Sequence, residues 1–95
     1  MRLVWTGPAR DDLYHIADER EAFEPGSALK LLRRVYDAPL VLLDQPRLGS
    51  MTRKPSVRKW PVRGTPFILL YVVRQDCIEV RRVMHNRSDW QSLEP

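Results

Sequence analysis

Val57-Arg-Lys-Trp-Pro-Val-Arg-Gly-Thr-Pro-Phe-Ile-Leu-Leu-Tyr-Val-Val-Arg-Gln-Asp-Cys-Ile-Glu-Val-Arg-Arg-Val-Met-His-Asn-Arg-Ser-Asp-Trp90 is the stretch from which the fold can be read. Gly64-Thr65-Pro66 and Gln75-Asp76 are turn compositions that divide it into three strand-like segments, each able to fold back on the one before. The pattern predicts an antiparallel meander. Its middle segment, Phe67 to Val73, is an unbroken apolar run rich in β-branched and aromatic residues, long enough for a strand and short for a helix. This is the expected centre of the sheet. The outer segments carry Arg58, Lys59, Arg63, Arg81, Arg82, His85 and Arg87, so the apolar sheet is bordered by cationic groups.

Working back from the meander, Leu3-Val4-Trp5 has strand composition and is followed by helix-start signals: Thr6 as N-cap, Pro8 in the first turn, Asp11 and Asp12 placed toward the positive end of the helix dipole. Ala9, Leu13, Ile16 and Ala17 then recur at helical spacing, which predicts a first helix over about residues 8–22 with one narrow buried stripe. Pro25-Gly26 ends it, and Ser27 can cap a second helix. That helix sets Leu29, Leu32, Val35 and Tyr36 on one side and Lys30, Arg33, Arg34 and Asp37 on the other. Pro39 should kink or restart it, with Leu40, Leu42 and Leu43 continuing the apolar face. Residues 47–56 read as a polar, basic connection, and the five residues after Trp90 are too few for a further element. Two helices joined by a Pro-Gly turn need a common apolar surface, and the sheet supplies it. The expectation is an α+β fold in a single domain, 1–95: an N-terminal strand and an antiparallel helical hairpin packed on a mainly antiparallel β-sheet.

A chain of 95 residues, 43% apolar, supports one modest core. No apolar run reaches the length of a membrane span, and Met1 to Thr6 lacks the apolar centre of a secretory signal. Cys77 is the single cysteine, so no internal disulfide or cysteine-rich metal site can form, which suits a reducing cytoplasm. Charge is uneven. Residues 1–46 hold six Lys/Arg against eight Asp/Glu, and residues 47–95 hold ten against four. The excess in the sheet half favours an anionic partner, nucleic acid or an acidic protein segment, unless it only keeps the surface soluble.

The order strand, helical hairpin, meander, together with particular residues, resembles the RelE/ParE superfamily of toxins from type II toxin–antitoxin modules. The matching stretches are Val4-Trp5-Thr6 with Ala9 and Asp12-Leu13, Pro46-x-x-Gly49, Val57-Arg58 with Tyr71-Val72-Val73, and Ile78-x-Val80-x-Arg82-Val83-x-His85-x-Arg87-x-Asp89-Trp90. Together they span nearly the whole chain. The resemblance implies a cytoplasmic growth inhibitor silenced by a cognate antitoxin whose C-terminal segment wraps around it. It also implies one of two activities: RelE-like members cut messenger RNA on the ribosome, and ParE-like members block DNA gyrase.

Residues must choose between them. A metal-free ribonuclease has to activate a ribose 2′-hydroxyl, neutralise the scissile phosphate and protonate the leaving oxygen. His85 and Arg81 are the catalytic candidates on the RelE-like reading, with Glu79 available as a base. Arg58, Lys59, Arg63, Arg82, Arg87 and Trp90 are candidates for nucleic-acid or partner binding; no metal ligand set or cofactor motif is present. The RelE-like pattern commonly ends in a tyrosine or another aromatic past the last strand, and this chain has Trp90, which can stack on a base but not usefully exchange a proton. One imidazole in this region, the absence of a terminal tyrosine and a tail that resembles the ParE-type ending favour the ParE-like reading, with gyrase as target and the ribosome with its message as the alternative. In a regular last strand, Arg81 and His85 would share one face with Glu79 and Val83, and Arg82 would turn coreward unless it lies beyond the covered part of the sheet or a bulge intervenes. Each residue also has a plainer role: His85 as a turn cap, His15 as a surface residue, Trp5, Trp60 and Trp90 as packing residues, Arg58 and Arg63 in ordinary ion pairs, Tyr71 and Cys77 as core.

Overall fold

The computed structural model describes residues 1–93. In order the elements are β1 (Arg2–Trp5), α1 (Gly7–Phe23), α2 (Ala28–Asp37), a 3-10 segment (Ala38–Leu43), β2 (Ser50–Met51), β3 (Val57–Pro61), β4 (Phe67–Val73), β5 (Cys77–His85) and a single turn, α3 (Trp90–Leu93). The strands form one sheet in the order β1-β5-β4-β3-β2. β1 lies parallel to β5 and every other pairing is antiparallel. The fold is α+β, two helices on a mostly antiparallel five-stranded sheet, as expected.

β4 has no alternation of polar and apolar residues because both of its faces are covered. Leu69 packs toward the helices with Val80, Val83 and Val62, meeting Ala9, Leu13 and Ile16 of α1 and Val35 of α2. Tyr71 extends that layer with Ile78 under Leu42 of the 3-10 segment. On the opposite face Ile68, Leu70 and Val72 join Val57 beneath Trp90. That second layer is anchored by α3, which the sequence did not suggest; the rest of the last five residues, 94–95, lies outside the described residues.

α1 starts where Thr6 predicts, with the Thr6 hydroxyl accepting from the Ala9 N–H at 3.3 Å. The first turn holds no acidic residue, so the expected dipole role of Asp11 and Asp12 is not realised. The helix ends at Phe23, just ahead of the Pro25-Gly26 turn, where Gly26 takes φ +89°, a left-handed conformation suited to glycine. Ser27 makes no side-chain cap bond. Glu21 of α1 does that work instead, its carboxylate accepting from the Gly26 and Ala28 N–H groups at 2.7 and 3.4 Å.

The second helix departs from expectation in two ways. Its buried side is Leu31, Leu32, Val35 and Ala38, and Leu29 is 71% exposed. Helical spacing offered both stripes, and the sheet selects the one turned about one residue from the expected one. Beyond Asp37 the chain tightens into the 3-10 segment, where Pro39 removes a donor and Leu42 is buried but Leu40 and Val41 are exposed. Residues 47–56 are not wholly irregular, since Ser50–Met51 pairs with Arg58 and Lys59 to form the sheet's last strand.

Candidate functional site

The arrangement of the candidate residues is set by one irregularity in β5. Phe67 pairs with His85, Ile68 with Met84, Leu69 with Val83 and Leu70 with Arg82, but Tyr71 pairs with Val80, so Arg81 is the extra residue of a β-bulge. A bulge shifts the phase of side-chain alternation. Ile78, Val80 and Val83 therefore all reach the helix-side core, and His85 follows Val83 onto that side. Arg81 lies on the opposite face beside Glu79, with Nε 3.6 Å from Glu79 Oε1. Arg74 reaches the same oxygen at 3.3 Å. The expectation that Arg81 and His85 share a face is thus corrected: the bulge separates them.

His85 is engaged locally. Its Nδ1 accepts the Arg87 backbone N–H at 3.0 Å, and its carbonyl accepts from the Ser88 N–H and hydroxyl at 3.0 and 2.6 Å. Its ring stands edge-on to Phe67 with centroids 5.9 Å apart. This is the geometry of a turn cap. Arg87 is exposed in that turn, held through its backbone N–H.

Arg82 is carried by the bulge to the sheet margin, not into the core. β1 stops at Trp5, so β5 beyond Val80 lacks a strand neighbour on that side. The start of α1 replaces it: the Thr6 N–H donates to Val80 O, the Thr6 hydroxyl to Arg81 O at 2.9 Å, and Asp12 Oδ2 accepts the Val83 N–H at 2.8 Å. Asp12 also receives Arg82 in a two-bond fork, Nε to Oδ2 at 2.8 Å and Nη2 to Oδ1 at 3.0 Å. The pair is a structural clamp between α1 and β5.

Arg58 and Lys59 of β3 are similarly occupied. Arg58 donates through Nη1 to the carbonyls of Gly49 and Arg47 at 2.8 and 3.3 Å. Lys59 Nζ lies 5.6 Å from the Trp90 ring centroid, a cation–π contact worth about 0.5–1 kcal/mol at an exposed site. Trp90 itself is 8% exposed, so it packs on the sheet and does not offer a base platform. Trp60 donates Nε1–H to Ala38 O at 2.9 Å under the hairpin. Tyr71 is fully buried, its hydroxyl donating to Pro46 O at 2.7 Å and accepting from the Gly49 N–H at 2.9 Å. Burial raises its pKa above 10.0, against a smaller lowering from the Gly49 N–H and the Arg58 charge. His15 pairs with Glu19 at the surface.

Two surface features were not anticipated. One is a groove of about 420 Å³ beside α1 and α2, lined by Trp5, Arg10, Leu13, Tyr14, Leu32 and Tyr36, with Trp5 and Tyr36 edge to face at 5.0 Å. The other is an open cleft of about 410 Å³ between α2 and the β3–β4 turn, lined by Lys30, Arg33, Arg34, Asp37, Ala38, Val62 and Arg63. Of the sheet-half candidates, Arg63 alone contributes to it. The spacing Lys30-x-x-Arg33-Arg34 hinted at a basic helix face, but its meeting with Arg63 is tertiary. Among the described residues no cluster of potential metal ligands occurs, and no helix is long and apolar enough to cross a membrane.

The architecture is similar to that of a solved structure from P. aeruginosa titled "Chromosomal ParDE TA system", with 27% sequence identity, a TM-score of 0.79, and coverage of 90% of this chain and 95% of that one. No curated protein sequence matches the chain. The family model described as the ParE toxin of the type II toxin–antitoxin system, parDE, matches residues 3–90. With that match spanning the strand, the helical hairpin and the whole meander, the chain belongs to the ParE toxin family of type II toxin–antitoxin systems.

Proposed function

We propose that this toxin inhibits growth by poisoning DNA gyrase in the cytoplasm, without nuclease chemistry, and that a cognate antitoxin neutralises it. The observation that supports this target over messenger RNA is the β5 bulge, which leaves Arg81 beside Glu79 on one face and His85 capping a turn on the other. A ribonuclease needs its proton-transfer and phosphate-binding groups converging on one phosphate. The antitoxin part of the reading is supported by the groove at Trp5, Tyr14 and Tyr36, whose aromatic lining suits the apolar face of a partner helix.

The test pairs a variant with two assays. His85→Ala should retain growth inhibition within a few-fold. Purified protein should trap gyrase on DNA and leave translated message intact in a reconstituted translation reaction. New message ends on ribosomes, abolished by the same substitution, would establish the mRNA interferase activity and refute the gyrase reading.

A further inference from the structure

The cleft between α2 and the β3–β4 turn concentrates cations that the fold itself does not use. Lys30, Arg33 and Arg63 are exposed, and none of their side chains has an ion-pair or hydrogen-bond partner among the described residues. Arg34 is different, since Nη1 donates to Arg63 O at 3.3 Å. Its guanidinium also lies against Gly64, where φ is +79° and where any Cβ would collide with Arg34 Nη1. Arg34 thereby links helix to turn through one exposed hydrogen bond, and three unengaged cations line the same cleft. Asp37 is the single carboxylate in the lining.

Such a site selects a ligand with closely spaced negative charges. Guanidinium groups fit phosphate oxygens in a planar fork, and their weak hydration keeps desolvation cheap. The lining holds no aromatic side chain. Binders of unpaired strands need aromatic platforms for bases to stack on, whereas contacts to a duplex backbone need cations alone. Trp90 lies on the far face of the sheet, Tyr14 and Tyr36 lie in the groove beside Trp5, and Phe23 and Phe67 line a separate hollow on the other side of the turn, with Ile16 and Leu31.

We propose that this cleft grips the phosphate backbone of duplex DNA through Lys30, Arg33, Arg34 and Arg63, without reading sequence. This goes beyond the choice of target enzyme, because the contact is made by this chain with DNA directly.

The test measures anisotropy of a labelled duplex of about 20 base pairs with the purified protein at 50–200 mM salt. Four phosphate contacts predict a log–log salt slope of about −3.6, and removing two predicts about −1.8. Arg33→Glu with Arg63→Glu should weaken binding at least tenfold and flatten the slope. Arg53→Glu with Lys54→Glu, an identical change in net charge in the loop before β3, should weaken it less than threefold. Neither Arg33 nor Arg63 has a structural side-chain bond, so the thermal midpoint should not move. Equal losses in both double variants would reduce the effect to overall charge and overturn the proposal. Tighter binding of a single strand than of the duplex would also overturn it. So would displacement by polyglutamate at lower charge concentration than by duplex, which would assign the cleft to an acidic protein segment. No duplex binding at 50 mM salt would end it outright.

Discussion

Gly49→Ala should be among the most damaging single-methyl changes in this protein. An added Cβ would lie 2.5 Å from the Tyr71 hydroxyl, 2.6 Å from Tyr71 Cε1 and 2.7 Å from Lys59 O. One neighbour is backbone and the others belong to a fully buried ring, so none can yield cheaply. Gly49 does not have a left-handed φ, and at an unconstrained position the same substitution would stabilise by about 0.4–1 kcal/mol through the unfolded state. Overpacking costs about 1–3 kcal/mol, and displacing Tyr71 unpairs the buried Gly49 N–H and Pro46 carbonyl at a further cost of about 1–3 kcal/mol. A total near 4 kcal/mol should lower the melting midpoint by about 15 °C or more in a domain of this size. Tyr71→Phe alone, losing the hydroxyl without the clash, should cost about 1–3 kcal/mol. Because both variants break the same bond, the double variant should cost at least about 1 kcal/mol less than the sum. Chemical denaturation of all four proteins measures the cycle. A neutral or stabilising Gly49→Ala, or strict additivity with Tyr71→Phe, would refute the account of this corner.

Other outcomes follow from the same contacts. The folded-state pKa of Tyr71 is raised, so the native state holds this proton more tightly than the unfolded chain does. Its contribution is complete below about pH 10 and is lost as pH rises through the folded value; Tyr71→Phe should flatten that alkaline decline, seen in denaturation midpoints from pH 8 to 11. At the α1–β5 clamp, Asp12→Ala removes both the Arg82 fork and the acceptor for the Val83 N–H and should cost about 2–4 kcal/mol. Asp12→Asn keeps one neutral acceptor and should cost clearly less, with unfolding by urea ranking the two.

The meander was legible because its signals are local. An apolar run between turn compositions has one economical arrangement, and β3, β4 and β5 lie where those signals put them. Thr6 likewise announces α1 by chemistry that acts over three residues. The Pro46-x-x-Gly49 motif was visible but not its cause, since Tyr71 binds Pro46 O and the Gly49 N–H from another part of the chain. The outward turn of Leu29 was ambiguous in principle: Leu29, Leu32 and Tyr36 satisfy helical periodicity as well as Leu31, Val35 and Ala38 do. Only docking on the sheet chooses between them. The bulge at Arg81 leaves no such signature, because Val80-Arg81-Arg82-Val83 is compatible with either phase.

That one residue of phase changes what the charge excess means. Read from the sequence, the apolar sheet was bordered by cations, Arg58, Lys59, Arg81 and Arg82 among them, and their excess favoured an anionic partner. In the fold, Arg81 answers Glu79, Arg82 answers Asp12, Arg58 holds two loop carbonyls and Lys59 lies over Trp90. These groups are already neutralised or directed inward, and moving them to a ligand would require breaking contacts that position β5 and the tail. Arg63 carries no such obligation. Its unengaged neighbours come from the acidic half of the chain, Lys30 and Arg33 on α2, a region whose net charge pointed away from it. A local cluster of cations therefore survives where helix and turn meet, made of groups the fold does not use, and it can meet a polyanion without breaking a contact that positions β5 or the tail.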